Sequence, residues 1–499
     1  MEAHKQAVAT IASAVRQYFA RREPYRIFHG STNSTRPRTH NRAVDISALG
    51  HVLSVDTEKK TCLVEPNVPM DRLVAATLPH GLVPPVVMEF PGITAGGGYA
   101  GTAGESSSFR HGFFDETINR VEMVLANGDV VEATPQPDDT RRDLFRGAAG
   151  ALGTLGITTL MELQLVPARK YVKTTYHRRS SVGATVRLIK ELADAKTQRA
   201  DYVDGIVFSK DHGVVVTGEM TDEKPADAAV QTFSHARDPW FYLHVQDKTK
   251  TKTAADTDTV TEYIPLAEYL FRYDRGGFWV ARSAFAYFPF PFNRWTRWFL
   301  DDFCKTRMLY KALHASGQSS TYIVQDLALP YASAEAFVDY TAETFGIWPL
   351  WLCPLKPAAK PTFHPHATGP HESDAAEKQM LNIGLWGQGP ASVAACVELN
   401  KDLEHKLASD FGGMKWFYAH AYYEQDAFWR IYDRPAYEAL RLKYNATTLP
   451  SVYDKIKVNT DKAAMARTFK TTWPFAAFFG LQHAIASKAY LPRTPPWRK

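Results

Sequence analysis

A glycine-rich stretch, PGITAGGGYAGTAGESSSFRHG at residues 91 to 112, constrains the fold of this chain more than any other feature. It is almost uncharged and lies between two apolar segments, so a buried loop of this sequence carries many backbone N–H groups that need partners. A bound polyphosphate supplies acceptors, and the missing side chains let the backbone approach it closely. We therefore predict an anion-binding loop; the alternative is a glycine-rich surface loop without a ligand.

The same stretch formally matches a second motif. Gly96, Gly98 and Gly101 have the GxGxxG spacing of a dinucleotide-binding βαβ unit, and Glu122 follows at roughly the distance of 20 residues which that unit requires. The context argues against it, because the next segment contains Gly104 and three serines, and no crossover helix can open there. We therefore prefer the anion-binding loop to a Rossmann unit.

Two further clusters of small residues support a ligand. FHGSTNSTRP at residues 28 to 37 follows a predicted strand and offers amides and hydroxyls in a tight turn. DLFRGAAGALGTLGITT at residues 143 to 159 has glycine at every third position from 147 to 156. Three such clusters within one region indicate an extended ligand that is contacted at several points.

The pattern of predicted elements indicates an α+β fold. Hairpins are predicted over HVLSVDTEKKTCLVEP, over RVEMVLANGDVVEA with its turn at Asn127-Gly128, and over YVDGIVFSKDHGVVVTGEMTD. Helices are predicted at about 182 to 197, 332 to 344 and 391 to 411, and a strand over KWFYAHAYY. We predict an amphipathic N-terminal helix over residues 1 to 24, a first α+β domain over 25 to 168, a second, mixed domain over 169 to 410, a C-terminal segment over 411 to 460, and an apolar and then basic tail over 461 to 499.

Charge and cysteine content exclude several classes of protein. The 58 basic and 53 acidic residues are spread along the chain without a long Lys/Arg block, which argues against a nucleic-acid partner. The four cysteines are far apart and form no CxxC pair, so we predict neither a metal site nor a disulfide framework. The first 24 residues show neither a membrane span nor a signal-peptide pattern. We expect a protein that is not secreted.

The three clusters together resemble the PCMH-type FAD-binding domain of the vanillyl-alcohol oxidase superfamily, over about residues 25 to 168. The resemblance implies a two-domain fold in which an α/β cap domain covers FAD and the C-terminal segment returns to the flavin. The cofactor-binding residues that it implies are His29, Gly30, Ser31, Thr32, Asn33, Ser34, Gly96, Gly97, Gly98, Gly101, Thr102, Gly104, Glu105, Ser106, Ser107, Ser108, Gly153, Gly156 and Ile157.

One departure from that superfamily concerns how FAD is held. Members that tether flavin through the first loop have a histidine where this chain has Asn33, and an amide cannot form that bond. His29 lies four residues earlier, at the wrong offset. The resemblance therefore implies non-covalent FAD at this position.

Beyond the first domain, the chain resembles the Δ24-sterol reductase family. The resembling segments run in order from residue 101 to about 456, and they are GTAGESSSFRHGFF, PARKYVK, VVVTGEMTDE, EYIPLAEYLFRYDRGGFW, YIVQDLALP, IWPLWLCPL, FYAHAYYEQDAFW and SVYDKI. The family reduces the side-chain double bond of sterols with FAD and NADPH, so the resemblance implies a flavoprotein of sterol and lipid metabolism. This chain departs at its N-terminal segment, where family members commonly have a transmembrane segment, and at His420, where an acidic residue is expected.

Reduction of an isolated alkene requires a proton donor, because such a bond is a poor hydride acceptor. The candidate catalytic residues are Glu105, Asp326, His420 and Tyr422. Glu105 lies in the glycine-rich loop, where loop amides or an arginine are its alternative partners. Asp326 lies in the apolar segment YIVQDLALP, where burial raises the pKa of a carboxyl group; a structural pair with an arginine is the alternative.

The predicted strand KWFYAHAYY places Tyr418, His420 and Tyr422 on one face by two-residue alternation. In the superfamily the corresponding segment lies near the flavin ring, so this face is the preferred source of the proton donor. Aromatic core packing around a hydrogen-bonded histidine is the alternative.

Two segments are candidates for membrane contact. Residues 276 to 303 combine many aromatic side chains with scattered arginines, which is typical of a surface that meets an interface or a sterol. Residues 471 to 487 carry no formal charge and precede a basic end, which favours an interfacial segment over a spanning one; a helix docked on the protein itself is the alternative. We expect a peripheral protein of the cytosol or of the cytoplasmic face of the endoplasmic reticulum.

The predicted function is NADPH-driven, FAD-dependent reduction of a C=C bond in a sterol side chain. Two alternatives are an FAD-dependent alcohol oxidase or dehydrogenase of the same superfamily, and a catalytically silent sterol-binding protein. Peroxide formed from an alcohol without NADPH would identify the oxidase. Stoichiometric, reducible FAD would argue against the silent binding protein.

Overall fold

The computed structural model describes residues 1–30, 42–194, 200–250, 259–316, 321–358, 362–366, 379–458, 482, 485–487 and 495–498, with the side chains of residues 314–316 left out. The first third of the chain forms α1 (Glu2–Ala20), β1 (Arg26–Phe28), β2 (Ala43–Asp45), β3 (Val52–Asp56), β4 (Thr61–Val64), α2 (Met70–Thr77), β5 (Leu82–Val83), α3 (Ala95–Gly101), α4 (Ser108–His111), β6 (Ile118–Leu125), β7 (Val130–Ala133), α5 (Arg142–Ala148), β8 (Gly156–Gln164) and β9 (Val166–Pro167).

The remaining elements begin with a long strand after residue 170. They are β10 (Tyr171–Arg179), α6 (Val182–Ala193), β11 (Tyr202–Ser209), β12 (His212–Thr221), α7 (Phe241–Thr249), β13 (Thr259–Pro265), α8 (Leu266–Leu270), α9 (Ala281–Tyr287), α10 (Arg294–Phe299), α11 (Thr306–Ser316), β14 (Tyr322–Pro330), α12 (Tyr331–Thr344), β15 (Leu350–Leu355), β16 (Met380–Gln388), α13 (Val393–Ser409), β17 (Met414–Lys415), α14 (Gln425–Ile431), α15 (Arg434–Lys443) and α16 (Val452–Ile456). Single 3-10 turns occupy Leu78–His80, Phe114–Thr117, Asp301–Phe303, Ala446–Thr448 and Pro496–Arg498.

The first sheet has five antiparallel strands in the order β3-β4-β8-β6-β7. Its two predicted hairpins are confirmed, and Gly128 takes the positive φ of 86° that the turn between β6 and β7 requires. Strands β1 and β2 pair in parallel as a separate two-stranded sheet, and the chain between them contains the first small-residue cluster. Pairing with β2 therefore anchors the strand that leads into that cluster.

Helix α1 packs on this sheet, as its amphipathic pattern predicts. Val8, Ile11 and Val15 are buried on one side of the helix. At its start, His4 bonds the carboxylates of Glu65 at 2.8 Å and Glu122 at 3.1 Å. The carboxylate of Glu122 therefore binds His4 of α1, which agrees with the rejection of a Rossmann unit.

The second sheet has eight strands in the order β13-β10-β12-β11-β15-β16-β14-β17, and its two faces differ in chemistry. One face packs against α6, α12 and α13 through aliphatic side chains such as Val203, Leu327 and Ile383. The alternate residues point to the opposite face. These are Tyr202, Asp204, Asp326, Trp351, Cys353, Asn382 and Trp386.

Backbone contacts bring the opposite face to the glycine-rich stretch. The N–H of Val203 donates to the carbonyl of Ser106 at 2.8 Å. The indole N–H of Trp416 donates to the carbonyl of Thr102 at 2.8 Å. We call this side of the second sheet the polar face, because it carries the carboxyl groups of Asp204 and Asp326.

Two local predictions were wrong. The strand expected over KWFYAHAYY ends at Lys415, because β17 pairs with β14 only at Leu327 and Ala328, after which Trp416 leaves the sheet toward Thr102. The glycine-rich stretch is also not wholly a loop, since it contains helix α3, which Thr94 caps by accepting the N–H of Gly97. Helix α3 is no crossover helix, because β5 and β6 on its two sides lie in different sheets.

Within the described part of the chain, no helix has the length and apolar character required to cross a bilayer. Most of the predicted apolar tail at residues 471 to 487 lies outside the described residues.

Candidate active site

The second and third small-residue clusters lie together, close to the strand that leads into the first. A Cβ added at Gly153 would lie 2.6 Å from Ile27 of β1, the strand that leads into the first cluster. The N–H of Gly150 donates to the carbonyl of Tyr99 in α3 at 3.3 Å. One ligand can therefore contact the second and third clusters; contact with residues 31 to 37 of the first cluster stays a prediction, because these residues lie outside the described ones.

The glycine-rich stretch at residues 91 to 112 is the second of the three clusters in chain order, and its glycines serve two purposes. A Cβ added at Gly96 would lie 2.6 Å from the Cβ of Pro66, and one at Gly104 would lie 2.8 Å from Leu355, so these two positions allow tight packing within the protein. A Cβ added at Gly101 meets no atom within 4 Å. Gly101 therefore has open space in front of it, next to Thr102, whose φ of 50° reverses the chain.

Across from this cluster, Asp326 on β14 lies on the polar face. Its carboxylate accepts hydrogen bonds from the hydroxyl of Tyr418 and, at 3.0 Å, from the amide of Asn382. Burial raises the pKa of Asp326 to about 6, and the hydrogen bonds from Tyr418, Asn382 and Trp386 oppose the rise. A carboxyl group of this pKa can hold and release a proton near neutral pH.

Glu105 lies near Asp326 and Glu89, so three carboxyl groups share one buried region. Burial is the main cause that raises the pKa of Glu105 well above its usual range, and the negative charges of Glu89 and Asp326 add to it. Burial also raises the pKa of Glu89 to about 8, although Arg272 opposes this. The region therefore favours protonated carboxyl groups.

Arg272 is the cation of this region, and it is fully buried. Its guanidinium lies 2.9 Å from Glu89 and 3.0 Å from Asp204. Asp204 also accepts the hydroxyl of Tyr273 at 2.8 Å and the indole N–H of Trp351 at 3.1 Å. The network therefore joins Glu89, which lies between β5 and α3, to Asp204 on β11 of the second sheet.

The structure brings the hydroxyl of Tyr418 to Asp326, whereas His420 and Tyr422 are held by main-chain contacts, and their catalytic roles stay predictions. The ammonium of Lys415 lies 2.8 Å from the Glu404 carboxylate of α13 and donates to the carbonyl of His420 at 2.6 Å. The N–H of Tyr422 donates to the same Glu404 at 3.0 Å. The prediction that Tyr418, His420 and Tyr422 share one face of a strand was wrong, because no strand forms over these residues.

Comparison with known proteins decides which family this site belongs to. A model of an FAD binding domain matches residues 4–134. The chain is 30% identical to the human Delta(24)-sterol reductase over 415 residues, which covers 82% of this chain and 76% of that protein. The chain belongs to the Delta(24)-sterol reductase family. The Arabidopsis thaliana Delta(24)-sterol reductase is 28% identical over 464 residues, which covers 87% of this chain and 80% of that protein.

A relative with a different name is similar over a shorter part of the chain. Cytokinin dehydrogenase 9 of Oryza sativa is 27% identical over 229 residues, 42% of each chain. Membership in the Delta(24)-sterol reductase family confirms the predicted α+β, two-domain PCMH-type fold and the class of FAD-dependent oxidoreductase.

The residues present fit the FAD that this family membership implies. The open space at Gly101 lies close to the third cluster, since the N–H of Leu152 donates to the carbonyl of Ala100, and beside Thr102, whose carbonyl accepts the indole N–H of Trp416. Gly97, Gly101 and Thr102 would hold the cofactor by their backbone, since small residues permit close approach. A Cβ added at Gly98 would instead clash with the side chain of Met88, so this glycine allows packing within the protein. Ile157, in contrast, is fully buried in the core beneath, and a Cβ added at Gly156 would lie 2.7 Å from the carbonyl of Val124.

The serines of the second cluster have protein partners. The hydroxyl of Ser107 donates to the carbonyl of Pro85 at 2.8 Å, and that of Ser108 accepts the N–H of Glu105 at 2.8 Å. Ser106 contributes its carbonyl to Val203. The cofactor roles of these serines, of His29 and of Gly30 stay predictions, and Ser31, Thr32, Asn33 and Ser34 lie outside the described residues.

A matched pair of glycine variants tests the cofactor site in this member of the family. We expect Gly101→Ala to leave the thermal stability of the FAD-free protein unchanged but to lower its FAD content, because the new Cβ occupies the open space. Gly96→Ala instead destabilises the protein by about 1–3 kcal/mol through the contact with Pro66. Flavin absorbance and thermal unfolding measure both effects. Stoichiometric FAD in Gly101→Ala would contradict this placement of the cofactor.

Sequence reasoning missed Glu89, Asp204 and Arg272. The signal that pointed to Asp326, a single acid in an apolar segment, is also present in PPVVMEF for Glu89 and in YVDGIVF for Asp204. Arg272 carries no comparable local signal, because its partner Asp204 lies 68 residues away.

Proposed function

We propose that this chain reduces a C=C bond in a sterol side chain, with NADPH as the hydride source and FAD held non-covalently. The relatives named Delta(24)-sterol reductase support the substrate class. The observation that carries the proposal is Asp326, a carboxyl group of raised pKa on the polar face, held by Tyr418 and Asn382.

Asp326 is the proton donor in this proposal. Its proton goes to the less substituted carbon of the double bond, so that positive charge develops on the more substituted carbon. FAD, when bound, supplies the hydride that completes the reduction through its N5 atom. One proton and one hydride add across the double bond, whose π bond is lost; Asp326 is left as a carboxylate, and NADPH, the source of the hydride, is oxidised to NADP⁺.

The neighbours of Asp326 stabilise it after it has lost its proton. The hydroxyl of Tyr418 and the amide of Asn382 donate to the carboxylate, and they orient it by the same bonds. Trp351 and Trp386 cover the polar face with apolar rings that exclude water and suit a sterol body. Glu105, close to Asp326, is the second acid available to this region.

The sterol substrate also supports a location. Sterols are dissolved in membranes, and we propose that the chain acts as a peripheral protein from the cytosol or at the cytoplasmic face of the endoplasmic reticulum. A nucleic-acid partner has no part in this reaction.

An anaerobic absorbance titration tests the function. NADPH is added to the purified, FAD-loaded protein, followed by desmosterol in detergent. The proposal expects NADPH to bleach the flavin band and the sterol to restore it. If NADPH leaves the band unchanged, or if an alcohol reduces the flavin and yields peroxide in air, the reductase proposal fails in favour of an alcohol oxidase.

A further inference from the structure

An exposed aromatic surface lies on the second half of the molecule, far along the chain from the three small-residue clusters. Phe290, Trp295, Trp298 and Phe299 are exposed by 49%, 78%, 44% and 78% of their area. We call these four residues the aromatic patch. Single exposed apolar side chains are common, but four large aromatic ones within ten residues form a surface that requires a partner.

The aromatic patch is held in a defined conformation. Helix α10, which carries Trp295, Trp298 and Phe299, begins at Asn293, whose side chain accepts the N–H groups of Trp295 at 2.9 Å and Thr296 at 3.1 Å. None of the helix residues is buried. A capped helix therefore presents these aromatic side chains to solvent.

Arginines accompany the patch. Arg297 lies over the ring of Phe292 at 4.8 Å, Arg282 lies over the same ring at 5.6 Å, and Arg294 begins α10. Among the described residues, none of the three forms an ion pair with a carboxylate. The guanidinium groups of Arg297 and Arg282 lie over an aromatic ring, and cationic groups beside apolar rings match the boundary between acyl chains and anionic headgroups.

Behind the patch, aromatic rings continue to the candidate active site. Phe292 contacts Trp240 at 5.6 Å between ring centroids, and Trp240 contacts Tyr242 at 6.5 Å. Tyr242 contacts Trp279 at 6.1 Å, and Trp279 contacts Trp386 at 5.6 Å. Trp386 lies on the polar face together with Asp326. The segment that carries the patch is therefore held on a packed aromatic core.

We infer that the aromatic patch inserts into the surface of a lipid bilayer that carries anionic headgroups. Trp and Phe suit the interfacial region, and the three arginines complement its negative charge. A second copy of the chain would instead bring these arginines together.

Vesicle sedimentation with the full-length, FAD-loaded protein tests the inference. The vesicles contain phosphatidylcholine alone or equal amounts of phosphatidylcholine and phosphatidylserine. We expect the double variant Trp295→Ser/Phe299→Ser to bind the mixed vesicles at least about tenfold more weakly than the natural sequence. The matched control is Leu442→Ser, because Leu442 is 73% exposed on α15, outside the patch, and its loss should change nothing.

The charge is tested separately. Arg294→Gln should weaken binding to the mixed vesicles about fivefold and leave binding to phosphatidylcholine alone unchanged. Thermal unfolding of each variant checks that the fold is intact. The inference is overturned if the double variant binds as tightly as the natural sequence, if the natural sequence binds neither vesicle, or if size-exclusion chromatography shows a dimer that the double variant dissociates.

The outcome is independent of the proposed function. Vesicle binding is measured without turnover, so a protein that binds vesicles but reduces no sterol retains the patch and loses only the reductase proposal. If sterol is reduced in detergent and vesicles are not bound, the reductase proposal stands and the patch fails.

Discussion

Asp326→Asn is expected to lower the rate of sterol reduction by about 10²–10⁴-fold, because an amide cannot donate the proton that a positioned acid supplies. FAD content and the reduction of bound flavin by NADPH should stay near their natural values, since the isosteric amide still accepts from Asn382 and can donate to the hydroxyl oxygen of Tyr418. Stopped-flow absorbance measures the two half-reactions separately: flavin bleaching by NADPH, then its recovery with sterol. Asp339→Asn, an exposed acid on α12, is the matched control.

The pH dependence gives an independent test of the same residue. Burial raises the pKa of Asp326 to about 6, and only the protonated form donates. The rate of flavin recovery should therefore be highest below pH 6 and fall as the pH rises through this value. Tyr418→Phe removes a hydrogen bond that favours the ionised form, so the fall should move to higher pH. If Glu105→Gln abolishes recovery and Asp326→Asn does not, Glu105 is the donor.

Local chemistry explains which parts of the fold the sequence predicted. The turn at Asn127-Gly128 depends on a glycine at positive φ, and α1 depends on the spacing of Val8, Ile11 and Val15; both signals lie within a few residues. The strand expected after Lys415 failed because alternating aromatic residues also fit an irregular segment whose rings pack in several directions. Here tertiary contacts, such as that of Trp416 with Thr102, decide the conformation.

The sequence predicted only part of the candidate site, because tertiary contacts decide its geometry as well. Asp326 is recognisable from the sequence because it is an acid in an apolar segment. The preference for Tyr422 and His420 depended instead on a strand that does not form. Their contacts with Lys415 and Glu404 come from packing against α13. The eight-stranded order also places β14 beside β16 and β17, so that Asn382 and Tyr418 reach Asp326 from distant parts of the sequence. Such pairings are set by the sheet as a whole.

Arg272→Met is expected to destabilise the protein by about 3–5 kcal/mol, because it leaves the buried carboxyl groups of Asp204 and Glu89 without their shared cation. Replacing all three ionisable side chains should cost less than removing Arg272 alone. The triple variant Arg272→Met/Asp204→Asn/Glu89→Gln is therefore the control, and it should recover part of the loss. Urea unfolding followed by far-UV circular dichroism measures both.

The pH dependence of this loss distinguishes an unpaired charge from lost packing. Burial raises the pKa of Glu89 from 4.5 to about 8 even with Arg272 present, so the folded protein holds this proton more tightly than the unfolded chain. Stability linked to Glu89 is therefore complete below pH 4.5 and decreases as the pH rises toward 8. Without Arg272 the pKa of Glu89 rises further, so both proteins lose stability equally up to about pH 8, and the variant's deficit should grow only as the pH rises above 8. A deficit that is the same at every pH would mean that the lost packing over Tyr269, 4.1 Å from the guanidinium, accounts for it.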